Sequence, residues 1–273
     1  MTASPNSPLE IAPDVLCLQL PGRSRTNVYF LRSASRWALV DAGWAGDGPV
    51  IAGAAATVCG RDGPPAVIVL THVHPDHAGS ARELARTWAA PVYVHPAELA
   101  IARGDFEAMV ASAGPLDRWV ILPLMRAAGR RRRDALIARS SLADVVLGLA
   151  PDGAIPGLPD WEWIHSPGHT PGHVALFRSA DRVLLSGDAL VTVRVNTPSG
   201  ILFGSPGMSG PPRYTTWSWP RAVESIGAIA ALEPRVLGGG HGSPATDPDT
   251  PATVAAYARS VRPDDSGARP SPA

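Results

Sequence analysis

Residues 71–80 read THVHPDHAGS, and they follow directly on the apolar run VIVL at 67–70. Three of the chain's eight histidines, with one aspartate, fall between His72 and His77. Core packing does not favour such a cluster, because imidazoles lose hydration on burial and neighbouring ones repel when protonated. A metal site is the first reading. PAVIVL (65–70) has the pattern of a buried strand and SARELARTWA (80–89) that of a helix, so the cluster occupies a strand-to-helix loop. In an extended segment His72 and His74, two apart, share one face. Asp76 and His77 continue the loop toward a second point, so two neighbouring cations would use all four residues. Imidazole and carboxylate suit zinc, with iron and manganese as competitors.

Working outward, DVLCLQL (14–20), TNVYFLR (26–32) and RWALVDAG (36–43) predict an antiparallel meander of short strands. GPVIAGAAATVCG (48–60) predicts a helix closed by Gly60, and PVYVHP (91–96) a further strand. Residues 97–150 change character, with apolar residues at helical spacing and the basic run Arg130–Arg133, and read as a helical insertion. The run itself reads as a solvated helix face. HVALFR (173–178) and RVLLSGD (182–188) predict a hairpin about the turn SAD. Residues 192–213 read as a long loop, 219–234 as a helix with Pro220 near its start, and RVLGGG (235–240) as a strand ending at His241.

The 273 residues carry 24 Lys+Arg against 24 Asp+Glu, for a formal net charge of zero. No global field therefore recommends nucleic acid or an anionic membrane as partner, and a small-molecule substrate is expected. The N-terminal MTASPNSPLE lacks the basic and apolar regions of a signal peptide, and no apolar stretch approaches the ~20 residues that span a bilayer. A cytoplasmic location is the expectation. Oligomeric state is not set by the sequence. Cys17 and Cys59 stand in no metal-ligand or redox spacing and read as buried thiols.

Asp41, the His72–His77 cluster, His169, Asp188 and His241 each lie where an apolar strand gives way to a Gly- or Pro-rich loop. In α/β folds such strand ends converge on one crevice. The ordered set H-x-H-x-D-H, then a distant His, an Asp and a last His resembles the signature of the metallo-β-lactamase superfamily, over about Val15 to Pro244. That resemblance implies an αββα metallo-β-lactamase sandwich with a helical insertion. Composition shows no shift that would divide the chain, so a single domain over residues 1–262 is expected, with 97–150 as insertion or lid and 263–273 as a disordered tail. Carried over, His72, His74 and His169 would bind one zinc ion, Asp76, His77 and His241 a second, and Asp188 would bridge them. Asp41 matches the aspartate that orients ligand histidines. His173 is expected to support the loop, and His95 and His165 to be structural.

Two metals about 3.5–4 Å apart can hold a hydroxide at neutral pH and polarise a carbonyl. The function expected is thus hydrolysis of an ester, thioester or lactone, with Asp76 shuttling the proton. No G-x-S-x-G elbow or cysteine-based signature offers a covalent route. Zinc β-lactamases usually place a cysteine at the position of Asp188, glyoxalase II enzymes carry a C-terminal helical domain, and lactonases have a tyrosine where this chain has Val191. GPPRYTTWSW (210–219) and GHGSP (240–244) are similar to a group of superfamily hydrolases of unassigned substrate. The rival readings are a mononuclear iron sulfur dioxygenase of the same fold and a non-catalytic binding module. Trp119, Met125, Phe203, Met208, Tyr214 and Trp217, in the two irregular segments and just beyond, are expected to line the substrate pocket.

Overall fold

The computed structural model describes residues 7–22, 25–33 and 36–263. Strands β1 (Leu9–Ala12), β2 (Val15–Gln19), β3 (Asn27–Ser33) and β4 (Arg36–Val40) pair antiparallel in that order. The chain then crosses by helix α1 (Gly48–Cys59) to β5 (Val67–Val69), and by α2 (Pro75–Ala78) and α3 (Ala81–Trp88) to β6 (Val92–Val94). Both new strands join parallel, and β7 (Val146–Gly148) completes a seven-stranded sheet. Between β6 and β7 lie α4 (Leu99–Ala102), α5 (Phe106–Ala111), a π-helical turn at Asp117–Ile121, α6 (Leu122–Ala127) and α7 (Arg130–Ser140).

The second sheet holds β8 (Glu162–His165), β9 (Val174–Arg178), β10 (Val183–Gly187) and, beyond a small hairpin, β13 (Val236–Gly239), in the order β13-β10-β9-β8. The hairpin consists of β11 (Val191–Val193) and β12 (Pro206–Ser209), with α8 (Pro198–Phe203) between them. Helices α9 (Trp219–Ala231) and α10 (Thr250–Ser260) cover the outer face of the second sheet.

Period-two alternation sorts the side chains into three buried layers. Tyr29, Leu31, Ala38, Val40, Val67 and Val69 point between the sheets, where they meet Val174, Leu176, Val183 and Leu185. Their neighbours Val28, Phe30, Trp37, Leu39, Ile68 and Leu70 face α1 and α3. Ala175, Phe177 and Leu184 face Ile226 and Ile229 of α9 and Val254 of α10. With both faces of each sheet covered, the central strands are continuous apolar runs, and the result is the four-layer αββα sandwich.

Several sequence expectations need correction. The helical insertion does not reach residue 150: Val146 is buried beneath the first sheet's outer layer, and its three-residue strand is too short to show a period. The loop expected over 192–213 contains most of a hairpin and a helix, the latter started by Thr197, whose Oγ1 accepts from Gly200 N–H at 3.1 Å. Gly60 caps α1 where expected, but not in a left-handed conformation. It stays right-handed (φ −56°), a 3₁₀ turn follows, and Gly63 at φ +72° makes the reversal. Strand β1 and helix α10 are additions to the elements expected from sequence. The expected tail lies, beyond residue 263, outside the described residues. Arg130, Arg131 and Arg132 are exposed on α7, while the Arg133 guanidinium sits 4.3 Å over the Phe106 ring. No helix among the described residues is long and apolar enough to cross a membrane.

Both cysteines are buried, and burial pushes the Cys17 thiol up to about 12 and raises Cys59 as well. A thiol attacks as thiolate. The native protein should therefore show well under one thiol equivalent toward a disulfide reagent at neutral pH, and both thiols only after denaturation. Rapid reaction of the native chain would contradict the placement of these side chains.

Candidate metal centre

One rim of the sandwich gathers the ends of β4, β5, β10 and β13 and the β8–β9 loop. Asp41 follows β4 in a left-handed conformation (φ 61°) and is buried. Its Oδ1 accepts from Thr71 N–H at 2.8 Å and its Oδ2 lies 2.8 Å from His77 Nδ1. With Nδ1 donating, the His77 Nε2 lone pair is turned toward the centre of the site. His72 Nδ1 is tied in the same way, 3.0 Å from Thr71 Oγ1, and His169 Nδ1 lies 3.3 Å from Thr216 Oγ1. Pro75 occupies the first turn of α2, where its missing N–H is not needed, and His74 is the residue that precedes this turn.

The donor atoms converge. Those of His72, His74 and His169 lie within 4.8 Å of one another, as do those of His72, His77 and Asp188 and those of Asp76, His77 and His241. Asp188 stands between the groups: its Oδ1 is 3.4 Å from His77 Nε2, and its Oδ2 is 3.4 Å from both His169 Nε2 and His241 Nε2. Asp76 Oδ2 is 3.4 Å from His241 Nε2. His72 Nε2, His77 Nε2, His169 Nε2 and Asp188 Oδ1 are buried without a hydrogen-bond partner. Buried polar atoms are ordinarily satisfied. Four such atoms aimed at one small volume, from imidazoles and a carboxylate, are the donor set that a divalent cation completes.

The electrostatics fit the same reading. Burial and the neighbouring imidazoles of His77 and His74 hold His72 well below the usual histidine range, and burial with His74 does the same to His169. Burial works against ionisation of Asp188 too, but His241 and His77 outweigh it and keep the carboxyl well below the usual carboxylate range. In turn, the carboxylates overcome burial at His77, raising it well above the usual range, and at His241, raising it to about 10.

His173 does not point into this centre. Its Nδ1 lies 2.8 Å from Ser166 Oγ, and its Nε2 accepts from Asp188 N–H at 3.0 Å. It fixes the backbone of the residue between the donor groups, and burial lowers its pKa to about 3, so it does this as a neutral ring. His95 and His165 stack in parallel 4.2 Å apart, away from the donors. The glycine loop at His241 is held by β3: Asn27 Nδ2 donates to Gly239 O at 2.9 Å and Gly242 O at 2.7 Å, and Tyr29 Oη donates to Gly239 O at 2.7 Å. Neither Asn27 nor Thr216 stands out in the sequence, since each acts through contacts remote along the chain.

The expected pocket residues divide. Trp217 N–H donates to His169 O at 3.0 Å, which places the 212–218 turn against the centre. Tyr214 in this turn is exposed; burial and the charges of Asp188 and Asp76 raise its phenol above the usual range. The insertion reaches the same turn through Leu116 N–H, which donates to Tyr214 O at 2.7 Å. Trp119 and Phe203 are 78% and 77% exposed, and Met125 is half-buried. Met208 is partly buried and packs against the outer core layer under α9 and α10.

Residues 21–241 match the family profile described as the Metallo-beta-lactamase superfamily, and the chain belongs to that superfamily. Among its relatives, the probable metallo-hydrolase YflN of Bacillus subtilis (strain 168) is 36% identical over 225 residues, covering 81% of each chain. Two solved structures share the fold. The metallo-beta-lactamase family protein TTHA1429 from Thermus thermophilus aligns with TM-score 0.60 and 24% identity, over 92% of this chain and 80% of that one. TTHA1623, solved in a di-iron-bound form, aligns with TM-score 0.53 and 24% identity, over 89% of this chain and 96% of the other.

Proposed function

We propose that this protein is a metal-dependent hydrolase that holds two divalent cations, zinc foremost, and cleaves an ester, thioester or lactone of modest size. The observation that carries this reading is the convergence of unpartnered buried Nε2 atoms on Asp188. His72, His74 and His169 would hold one cation, Asp76, His77 and His241 the other, and Asp188 would touch both. Such a pair lowers the pKa of water and polarises a carbonyl or leaving atom. The similarity to a probable metallo-hydrolase supports the reaction class, and iron is a competing metal for the same donors, as the di-iron form of a fold relative illustrates.

The chain's own groups have distinct tasks. Asp41 keeps His77 in the tautomer that offers Nε2, and Thr71 and Thr216 do so for His72 and His169. Asp76 would move the proton. Its side chain is 18% exposed against 4% for Asp188, so it is the carboxylate that substrate and solvent reach. Burial pushes its pKa up, but His77 and His241 bring it down to about 2, so its carboxylate is ionised at neutral pH. Tyr214 and the insertion would border the substrate.

Metal analysis of the purified chain, followed by a panel of lactones, thioesters and aryl esters, tests the proposal. About two ions per chain and turnover of at least one ester class are expected. Full activity at a stoichiometry near one under zinc-replete conditions would sink the two-cation site. Oxygen uptake with a thiol persulfide in place of hydrolysis would move the assignment to iron-dependent oxidation.

A further inference from the structure

Glu98 sits at the entrance to the helical insertion, in the turn that precedes α4, and it is 1% exposed. A buried carboxylate is costly unless N–H donors replace its water. Here they come from two different loops: Val73 N–H donates to Oε2 at 3.2 Å and Gly172 N–H donates to Oε1 at 2.8 Å. Val73 lies between His72 and His74, and Gly172 follows His169 in the loop that ends at His173. Gly172 can approach because it has no side chain; a Cβ there would come within 2.7 Å of Glu98 Cγ. On the other side of Gly172, the Pro171 carbonyl lies 2.9 Å from His165 Nε2, and the His165 ring stacks on His95, which precedes Glu98 by three residues. The same brace thus grips the loop from two directions.

We infer that Glu98 is a positioning residue that locks the loop of His72 and His74 to the loop of His169, one carboxylate oxygen on each. The inference rests on the proposed cation site at these three histidines. It also ties the insertion mechanically to that site, because Glu98 belongs to the insertion's first turn. The chemistry demands a carboxylate. An amide of the same size has one acceptor oxygen and one NH₂ donor, so in Glu98→Gln one of the two loops would meet a donor in place of an acceptor. A residue that merely filled space would tolerate that exchange.

The test compares wild type with Glu98→Gln as full chains, titrated with Co²⁺ against a competing chelator while the visible d–d spectrum is followed. In Glu98→Gln one cobalt ion should bind about 10- to 100-fold more weakly with an altered spectrum, and the other should change by less than about threefold, the size expected for a group behind the ligands. The thermal midpoint of the metal-free chain serves as a folding control. Two unchanged affinities and an unchanged spectrum would overturn the inference. Should the variant fail to fold, amide hydrogen exchange of the wild type decides: Val73 and Gly172, both in loops, should exchange slowly with or without metal, and fast exchange at either overturns the tie. Failure of the wild type to take up Co²⁺ would strike the cation site itself, and the exchange measurement would still judge the tie.

Discussion

Asp188→Ala is expected to cost the protein at least one of its cations and to lower ester turnover by two decades or more. The carboxylate is buried and lies 3.4 Å from the Nε2 atoms of His77, His169 and His241. Removing one partner from a buried charge cluster costs roughly 3–5 kcal/mol, because the remaining charges stay desolvated. At about 1.4 kcal/mol per decade this is two to three and a half decades in affinity or rate. Asp188→Asn is the sharper probe, since it preserves shape while removing the charge and turning one acceptor oxygen into an NH₂ donor. Equilibrium dialysis against zinc, read beside turnover, checks the result, and retention of both ions at wild-type affinity would show that the shared ligand lies elsewhere.

Gly240→Ala should be nearly as damaging although it adds a single methyl group. A Cβ at residue 240 would overlap Asp188 Oδ1 and lie 2.8 Å from His77 Cε1, so it occupies the space where the two donor groups meet. The glycine loop cannot retreat freely: Asn27 N–H donates to Gly240 O at 2.8 Å and Gly240 N–H donates to Gly187 O at 2.7 Å. Something must therefore move, and the lightest object is the Asp188 side chain. Overpacking of this kind costs about 1–3 kcal/mol in stability, whereas an ångström of misplacement at a reacting centre costs on the order of 10²-fold in rate. The expected signature is a modest fall in thermal midpoint with a large fall in kcat and in metal content. Wild-type turnover in Gly240→Ala would refute the crowding.

The central strands of the two sheets are legible in the sequence because they are buried on both faces, which writes them as apolar runs. The donor residues are legible for a related reason, as each stands at the break between such a run and a Gly- or Pro-rich loop. Shorter pieces leave no such mark. β7 has three residues, and β12 reads PGMS, with two residues that ordinarily oppose a strand. The sequence shows no partner for Met208, which packs against the core layer beneath α10, a helix with no clear signature of its own. The supports of the site are the least visible. Asn27 reaches Gly239 across 212 positions, and Glu98 reaches Gly172 across 74, so no local pattern announces either.

The division of donors between the two sheets has a consequence for how the molecule comes together. His72, His74, Asp76 and His77 hang from the seven-stranded sheet, and His169, Asp188 and His241 from loops of the four-stranded one. Neither layer alone owns a complete coordination set, so a cation seated at the rim would act as a rivet through both, resisting any sliding of one sheet over the other. Its stabilisation would grow with free metal as that of any ligand specific to the native state, about 2.7 kcal/mol at a hundredfold excess over the dissociation constant. The rivet could be set only after chain segments more than 90 residues apart had met, as His74 and His169 must. Loading of the complete set would then be a late event in assembly.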